Sequence, residues 1–252
     1  MRAAPVLLLA AALLLAGCSG TSPNRKKEAA ARMEMGVTYL QQRNLPAAMR
    51  ELSLASELDP ENGEIDMMLG LAYQSRGDLG KAEEYLRIAI GKKADYAEAH
   101  NNLGNLMSQL GRSEEAIREY EQAASNVLYP TPEYAYYNMG REYFRRQNLD
   151  KAEEKYGKAI ALNPSFLDAY RGLAMVQGRG EKWEDAVKTL ERAVEVAPTY
   201  ALAWMDLGNA YLKLRRHWEA SAAFRNVLEN STDPELRTKA TDYLNLLGQD
   251  RR

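Results

Sequence analysis

Among 252 residues there is one cysteine, Cys18, and there are two histidines, His100 and His217. A single cysteine excludes an internal disulfide framework, and together with two widely separated histidines it excludes the usual Cys/His zinc sites. The histidines fall in different parts of a repeating pattern with no second ligand nearby, so packing or solvent exposure explains them better than catalysis. Charge of one sign is also missing: 33 Lys and Arg against 35 Asp and Glu leave a formal net charge of −2 and no basic footprint for nucleic acid. There is no strand-like alternation, no glycine-rich phosphate loop and no nucleophile elbow around a serine. The apolar run from Val6 to Ala16 is too short to span a bilayer as a helix. These absences point to a chain that is not an enzyme, has no metal or cofactor, and acts on no small-molecule substrate.

What the sequence does contain is a repeat. A small residue recurs at Gly36, Gly70, Gly104, Gly140, Ala174 and Gly208, each followed twelve positions later by Ala48, Ala82, Ala116, Ala152, Ala186 and Ala220. The steps are 34, 34, 36, 34 and 34 residues. A period of about 34 marks tetratricopeptide (TPR) repeats, each a helix-turn-helix pair that buries its apolar face only when a neighbour stacks on it. Three residues after the small position stand Tyr39, Tyr73, Met107, Tyr143, Gln177 and Tyr211, with Gln177 the misfit. Four after the alanine stand Leu52, Leu86, Tyr120, Tyr156, Leu190 and Phe224. Offsets of three, four and seven place these residues on one helical face, with small residues permitting close approach and large ones filling the adjoining space.

Proline marks the repeat ends at Pro60, Pro164 and Pro198, and Arg76-Gly77-Asp78 and Leu110-Gly111-Arg112 mark turns between helices. The repeats are therefore expected at 29–62, 63–96, 97–130, 133–166, 167–200 and 201–234, with an amphipathic capping helix over 235–248. The expected fold is all-α, a right-handed superhelical TPR solenoid of six repeats plus that cap. Glu83-Glu84, Glu114-Glu115 and Glu153-Glu154 look like catalytic carboxylate pairs, yet they recur at equivalent positions and suit the first turn of a second helix, where the dipole favours negative charge.

The amino terminus carries a separate signal. Met1-Arg2, the apolar run and Leu15-Ala16-Gly17-Cys18 compose a signal peptide over 1–17. The tetrapeptide resembles the bacterial lipobox, which implies cleavage before Cys18 and lipidation of that cysteine. A multiply acylated cysteine gains about 0.8 kcal/mol per buried methylene and anchors without spanning. Ser19 in place of aspartate implies, by the same resemblance, sorting to the outer membrane. Residues 18–28 are small, polar and then basic, as expected of a flexible leash.

With no catalytic constellation, function falls to the concave face, formed in TPR arrays by the second, fifth, ninth and twelfth residues of each first helix. In the first two repeats these include Met33, Val37, Leu40, Met67 and Leu71, an apolar stretch of the kind that marks a partner site. In the third they include Asn101 and Asn105, and in the fourth Tyr137 and Arg141. A polypeptide is the expected ligand of this groove. The lysine and asparagine clamp of chaperone-binding TPR domains is absent, since Met33 and Val37 occupy its places.

Two residues are inserted between the third and fourth repeats, where the chain reads Leu128-Tyr129-Pro130-Thr131-Pro132. Leu128-Tyr129-Pro130 matches a tripeptide at the end of the third repeat in the PilF/PilW group of pilotins, lipoproteins of type IV pilus biogenesis, and Asn101-Asn102-Leu103-Gly104 is similar to that group's Asn-Asn-Tyr-Gly. The chain resembles this family over its whole mature length, with a layout nearest to the myxobacterial member. The resemblance implies a periplasm-facing, outer-membrane adaptor whose first repeats bind the secretin channel of the pilus machine and promote its localisation and multimer assembly, hence pilus formation and motility. A general outer-membrane TPR adaptor for cell-wall hydrolases or envelope assembly factors stays open beside it.

Overall fold

The computed structural model describes residues 21–249, so Cys18, the signal sequence and the lipobox lie outside the described residues. Among the described residues there are thirteen α-helices and no strands. In order they are α1 (Pro23–Gln41), α2 (Leu45–Leu58), α3 (Gly63–Arg76), α4 (Leu79–Lys92), α5 (Ala97–Gln109), α6 (Ser113–Ser125) and α7 (Pro132–Arg145). Then come α8 (Leu149–Leu162), α9 (Leu167–Arg179), α10 (Trp183–Val196), α11 (Ala201–Lys213), α12 (His217–Asn230) and α13 (Pro234–Gln249). The first twelve form six helix-turn-helix pairs in the expected register. By their contacts they fall into two compact units, α1 and α2 in one and α3 to α13 in the other, divided after Glu61.

In the first unit α1 begins earlier than the repeat pattern predicts. Ser22 caps it by accepting a bond from the Arg25 amide (3.4 Å), and Pro23 takes the first turn, where its missing N–H costs nothing. Residues 23–28, expected as part of a leash, are therefore helical. Two contacts hold them: the Arg25 guanidinium donates to the Glu57 carbonyl at 2.9 Å, and Arg32 bridges Glu28 and the buried Glu51 at 3.0 Å each.

The small residue of each repeat meets the large residue of its own second helix. A Cβ placed on Gly36 would stand 2.6 Å from Leu52 Cγ, one on Gly104 2.6 Å from Tyr120 Cε1, and one on Gly208 2.5 Å from Phe224 Cε1. The same contact recurs between Gly70 and Leu86 and between Gly140 and Tyr156. The paired alanines Ala48, Ala82, Ala116, Ala152, Ala186 and Ala220 are all buried beside it. Tyr156 also keys successive repeats together, because Gly172 of α9 lies against the same ring, 2.5 Å from Cε1 if given a Cβ.

Every turn within a pair uses one left-handed residue at the fifteenth place of the repeat: Arg43, Gly77, Gly111, Gln147, Glu181 and Arg215, with φ of 58°, 86°, 75°, 59°, 60° and 59°. Only two are glycine, so four turns hold an L-residue where it is strained. At the far end α13 covers the last pair, burying Ala240 and Leu247 and stacking Tyr243 on Phe224 at 4.7 Å.

The misfit Gln177 is internally satisfied. It is buried, and its Oε1 accepts from Thr189 Oγ1 at 2.9 Å. His100 is likewise structural: one ring nitrogen lies 2.7 Å from Glu119 Oε2 and the other 3.2 Å from the Ala94 carbonyl oxygen. The hydrogen bond to Glu119 holds its pKa above the ordinary 6.5.

Candidate functional site: two concavities on the first helices of the repeats

In the second unit α5, α7, α9 and α11 line two adjoining concavities. The first, of about 750 Å³, is polar and lies over α5 and α7. Asn101 and Asn105 are both in it. Asn105 Oδ1 accepts from the buried Tyr120 hydroxyl (2.9 Å) and from Asn138 Nδ2 (3.1 Å), and Asn138 also reaches Asn101 Oδ1 at 3.4 Å. With their oxygens engaged inward, the two carboxamides are oriented with NH₂ groups available to an incoming carbonyl. Ser108 donates to the buried Glu142 at 2.6 Å, and Arg145 pairs with the same carboxylate.

Tyr137 lines both concavities. Its ring lies 5.0 Å from Phe166 and 5.6 Å from Tyr156, while Tyr134, which is exposed, lies 4.9 Å from Phe166. Arg141 sits over Tyr137 at 5.9 Å. Tyr136 and Tyr137 both pack against the core, and Tyr137 with the exposed Tyr134 also forms an aromatic wall around Phe166.

The second concavity, of about 690 Å³, lies among α7, α9 and α11 and is lined mostly by apolar surface. At Gly178 the twelfth place of the repeat has no side chain, and the Trp183 ring takes that room, 2.6 Å from where a Cβ would stand. Phe144 and Met175 add to the apolar wall. Arg171 donates to Asp206 at 2.6 Å, and burial raises the Asp206 carboxyl above its ordinary 3.8 against the pull of that arginine. Lys213 lies over the Trp183 ring at 5.7 Å.

The expected groove residues divide. Asn101, Asn105 and Tyr137 line the concavities. Leu71 is half-buried, and in the first unit Met33, Val37 and Leu40 are half-buried on α1, spaced four and three residues apart along one face, with Met35 exposed beside them. Met67 corrects the sequence reading: it is 5 % exposed and belongs to the core, packed with the aromatic and aliphatic side chains that close α3 to α7, so it offers no surface to a partner. Asp168, Arg171, Met175 and Gly178 went unread in the sequence, although they hold the same four places in the fifth repeat as the residues chosen elsewhere. Arg179 and Lys213 went unread for another reason, since the thirteenth place was not taken as groove-facing. That place reads Gln41, Ser75, Gln109, Arg145, Arg179, Lys213, and the change from neutral to cationic was the available signal.

At the two-residue insertion Tyr129 is buried, and its amide donates to Asn126 as Tyr96, Phe166 and Tyr200 donate at the other junctions. Tyr129 therefore acts as the junction aromatic, and Pro130, Thr131 and Pro132 separate it from the start of the fourth repeat at Glu133. Val127 and Leu128 project outward, 95 % and 82 % exposed.

Two TPR family models match the chain, over residues 67–131 and 173–234 and over residues 133–166, together well over half its length. The type IV pilus assembly protein PilF of Pseudomonas aeruginosa is 29% identical over 169 residues, which cover 65% of this chain and 67% of PilF. Human IFIT1, an antiviral innate immune response effector, is 24% identical over 183 residues, 73% of this chain and 35% of that protein. Among solved structures, Pseudomonas aeruginosa PilF superposes with a TM-score of 0.73 at 19% identity, covering 87% of this chain and 99% of PilF. PilW, a widely conserved type IV pilus biogenesis factor, superposes at 0.71 with 23% identity, covering 83% and 97%. The helix pairs, their glycine contacts and the matching models agree: the chain belongs to the tetratricopeptide repeat family.

Proposed function

We propose that this chain is a type IV pilus biogenesis adaptor, a lipid-anchored outer-membrane TPR protein that binds the secretin and promotes its assembly into a multimer. The observation that carries the reading is the alignment with PilF, which runs through about two thirds of each chain, whereas the match to IFIT1 covers 35% of that protein. The lipobox-like Leu15-Ala16-Gly17-Cys18 and a layout that resembles the myxobacterial pilotin Tgl support it. Binding alone accounts for the activity. The lipid at Cys18 would hold the adaptor at the inner leaflet and raise the local concentration of a bound secretin subunit, with no covalent step. The half-buried apolar face Met33-Val37-Leu40 of α1 is the proposed secretin contact.

Deletion of the gene, followed by a gel for heat-resistant secretin multimers, tests the reading. Multimers and pili are expected to disappear, and Met33→Asp with Val37→Asp is expected to reproduce the loss while the helical spectrum is kept. Normal multimers in the deletion strain reject it. In that event, co-purification of a cell-wall hydrolase or envelope assembly factor would favour the general adaptor role.

A further inference from the structure

We infer that the cavity among α7, α9 and α11 is a binding site for an extended peptide segment of a partner protein, one that carries an aromatic or large aliphatic side chain flanked by acidic residues. The site is separate from the apolar face of α1 assigned above to the secretin.

Charge selects the ligand. The chain as a whole is slightly acidic, yet this cavity holds four cations, Arg141, Arg171, Arg179 and Lys213, against two carboxylates, Asp168 and Asp206. Asp206 is engaged by Arg171, and Asp168 accepts from the Tyr200 hydroxyl at 3.0 Å. Arg141 and Arg179 make no ion pair among the described residues, and the Lys213 ammonium faces only the Trp183 ring. The unbalanced positive charge therefore lies on the exposed rim, while Phe144, Met175 and Trp183 give the cavity its apolar lining. A lining of this kind accepts an apolar side chain, and a rim of this kind accepts carboxylates on either side of it.

Shape selects an extended segment. The volume of about 690 Å³ is of ligand-pocket size, and the pocket is an open trough rather than a closed chamber, since it adjoins the polar concavity through Tyr137 and Arg141. Three successive first helices spaced by roughly 10 Å each span about 20 Å, the reach of roughly six extended residues. The free NH₂ groups of the asparagine row continue the trough and suit backbone carbonyls of the same strand. Gly178 admits the Trp183 ring that lines the trough.

The test uses the full-length protein in detergent as bait for a random heptapeptide library, followed by fluorescence anisotropy of the enriched peptides. Enrichment of Asp or Glu around Phe, Trp or Leu is expected, and Arg179→Glu with Lys213→Glu, both exposed positions, is expected to weaken those peptides at least tenfold without changing the thermal midpoint by more than a few degrees. No acidic enrichment, or equal affinity for the charge-reversed protein, overturns the proposal. Displacement by 10 mM inorganic phosphate or by phosphatidylglycerol vesicles as complete as that by excess peptide also overturns it, in favour of a small-anion or lipid site. The Met33→Asp, Val37→Asp protein is expected to bind the peptides normally, so this inference and the secretin reading fail separately.

Discussion

Gly208→Ala adds one methyl group at a place where its carbon would lie 2.5 Å from Phe224 Cε1 and 2.8 Å from Cδ1 and Cζ. Alanine improves helix propensity by about 0.5–1 kcal/mol, while overpacking a core contact costs about 1–3 kcal/mol. Phe224 is fully buried and held on its other face by Tyr243, so the ring cannot retreat and the net cost should be about 1–2 kcal/mol. Phe224→Leu alone should cost a similar 1–2 kcal/mol, from lost volume and a lost aromatic stack. The double variant should cost less than the sum by about 1 kcal/mol or more, because leucine can move aside for the methyl. The fifth repeat already contains that combination, Ala174 with Leu190, and both are buried. Equilibrium urea denaturation of the four proteins, followed by circular dichroism, measures the cycle. A neutral or stabilising Gly208→Ala, or costs that add within about 0.3 kcal/mol, would refute the claim that the glycine is there to admit the ring.

The left-handed turns give a second expectation. Glu181→Gly should raise stability by up to about 1 kcal/mol and Gly77→Ala should lower it by about 1 kcal/mol in the same urea assay, because an L-residue at positive φ is strained. The His100–Glu119 pair makes stability depend on pH. Since the folded pKa of His100 is raised, its contribution is fully present below the ordinary 6.5 and is lost as pH rises through the elevated value. Thermal midpoints measured from pH 5.5 to 8.5 should therefore fall less in His100→Gln than in the native protein, and identical slopes would remove the pair from the account. Cys18→Ala should release the protein from the membrane fraction or leave it unprocessed, and a variant still resistant to high-salt and carbonate extraction would reject lipidation.

The repeat register was legible because each pair meets the same steric requirement six times over. A glycine or alanine at the eighth place and an alanine at the twentieth are demanded by one close approach of two helices, so the signal repeats with the contact. The start of α1 was not legible from that signal, since Ser22-Pro23 is a capping instruction and lies outside the period. Met67 was misplaced for a related reason. The repeat pattern does not fix the burial of the fifth residue of a first helix: Met33 is half-buried and Met67 is buried, although they are the same residue type. The Leu128-Tyr129-Pro130 motif reads as one unit in sequence, yet its tyrosine is a junction anchor and its leucine a projecting side chain.

The same economy explains how one scaffold carries different surface chemistry along its length. Contacts that hold each pair together are made by the eighth, twentieth and twenty-fourth places, which point into the pair and scarcely vary. The fifth, ninth and thirteenth places take no part in that contact, and they change from Met33, Val37 and Gln41 to Arg171, Met175 and Arg179. A substitution at the first set is felt as strain, as at Gly208, while one at an exposed member of the second, such as Arg179→Glu, should cost no more than about 0.5 kcal/mol. Stability and ligand choice are thereby written at different residues of the same helix. A charge reversal that abolishes binding with no loss of stability, set beside a methyl addition that costs stability with no loss of ligand specificity, would display that separation directly.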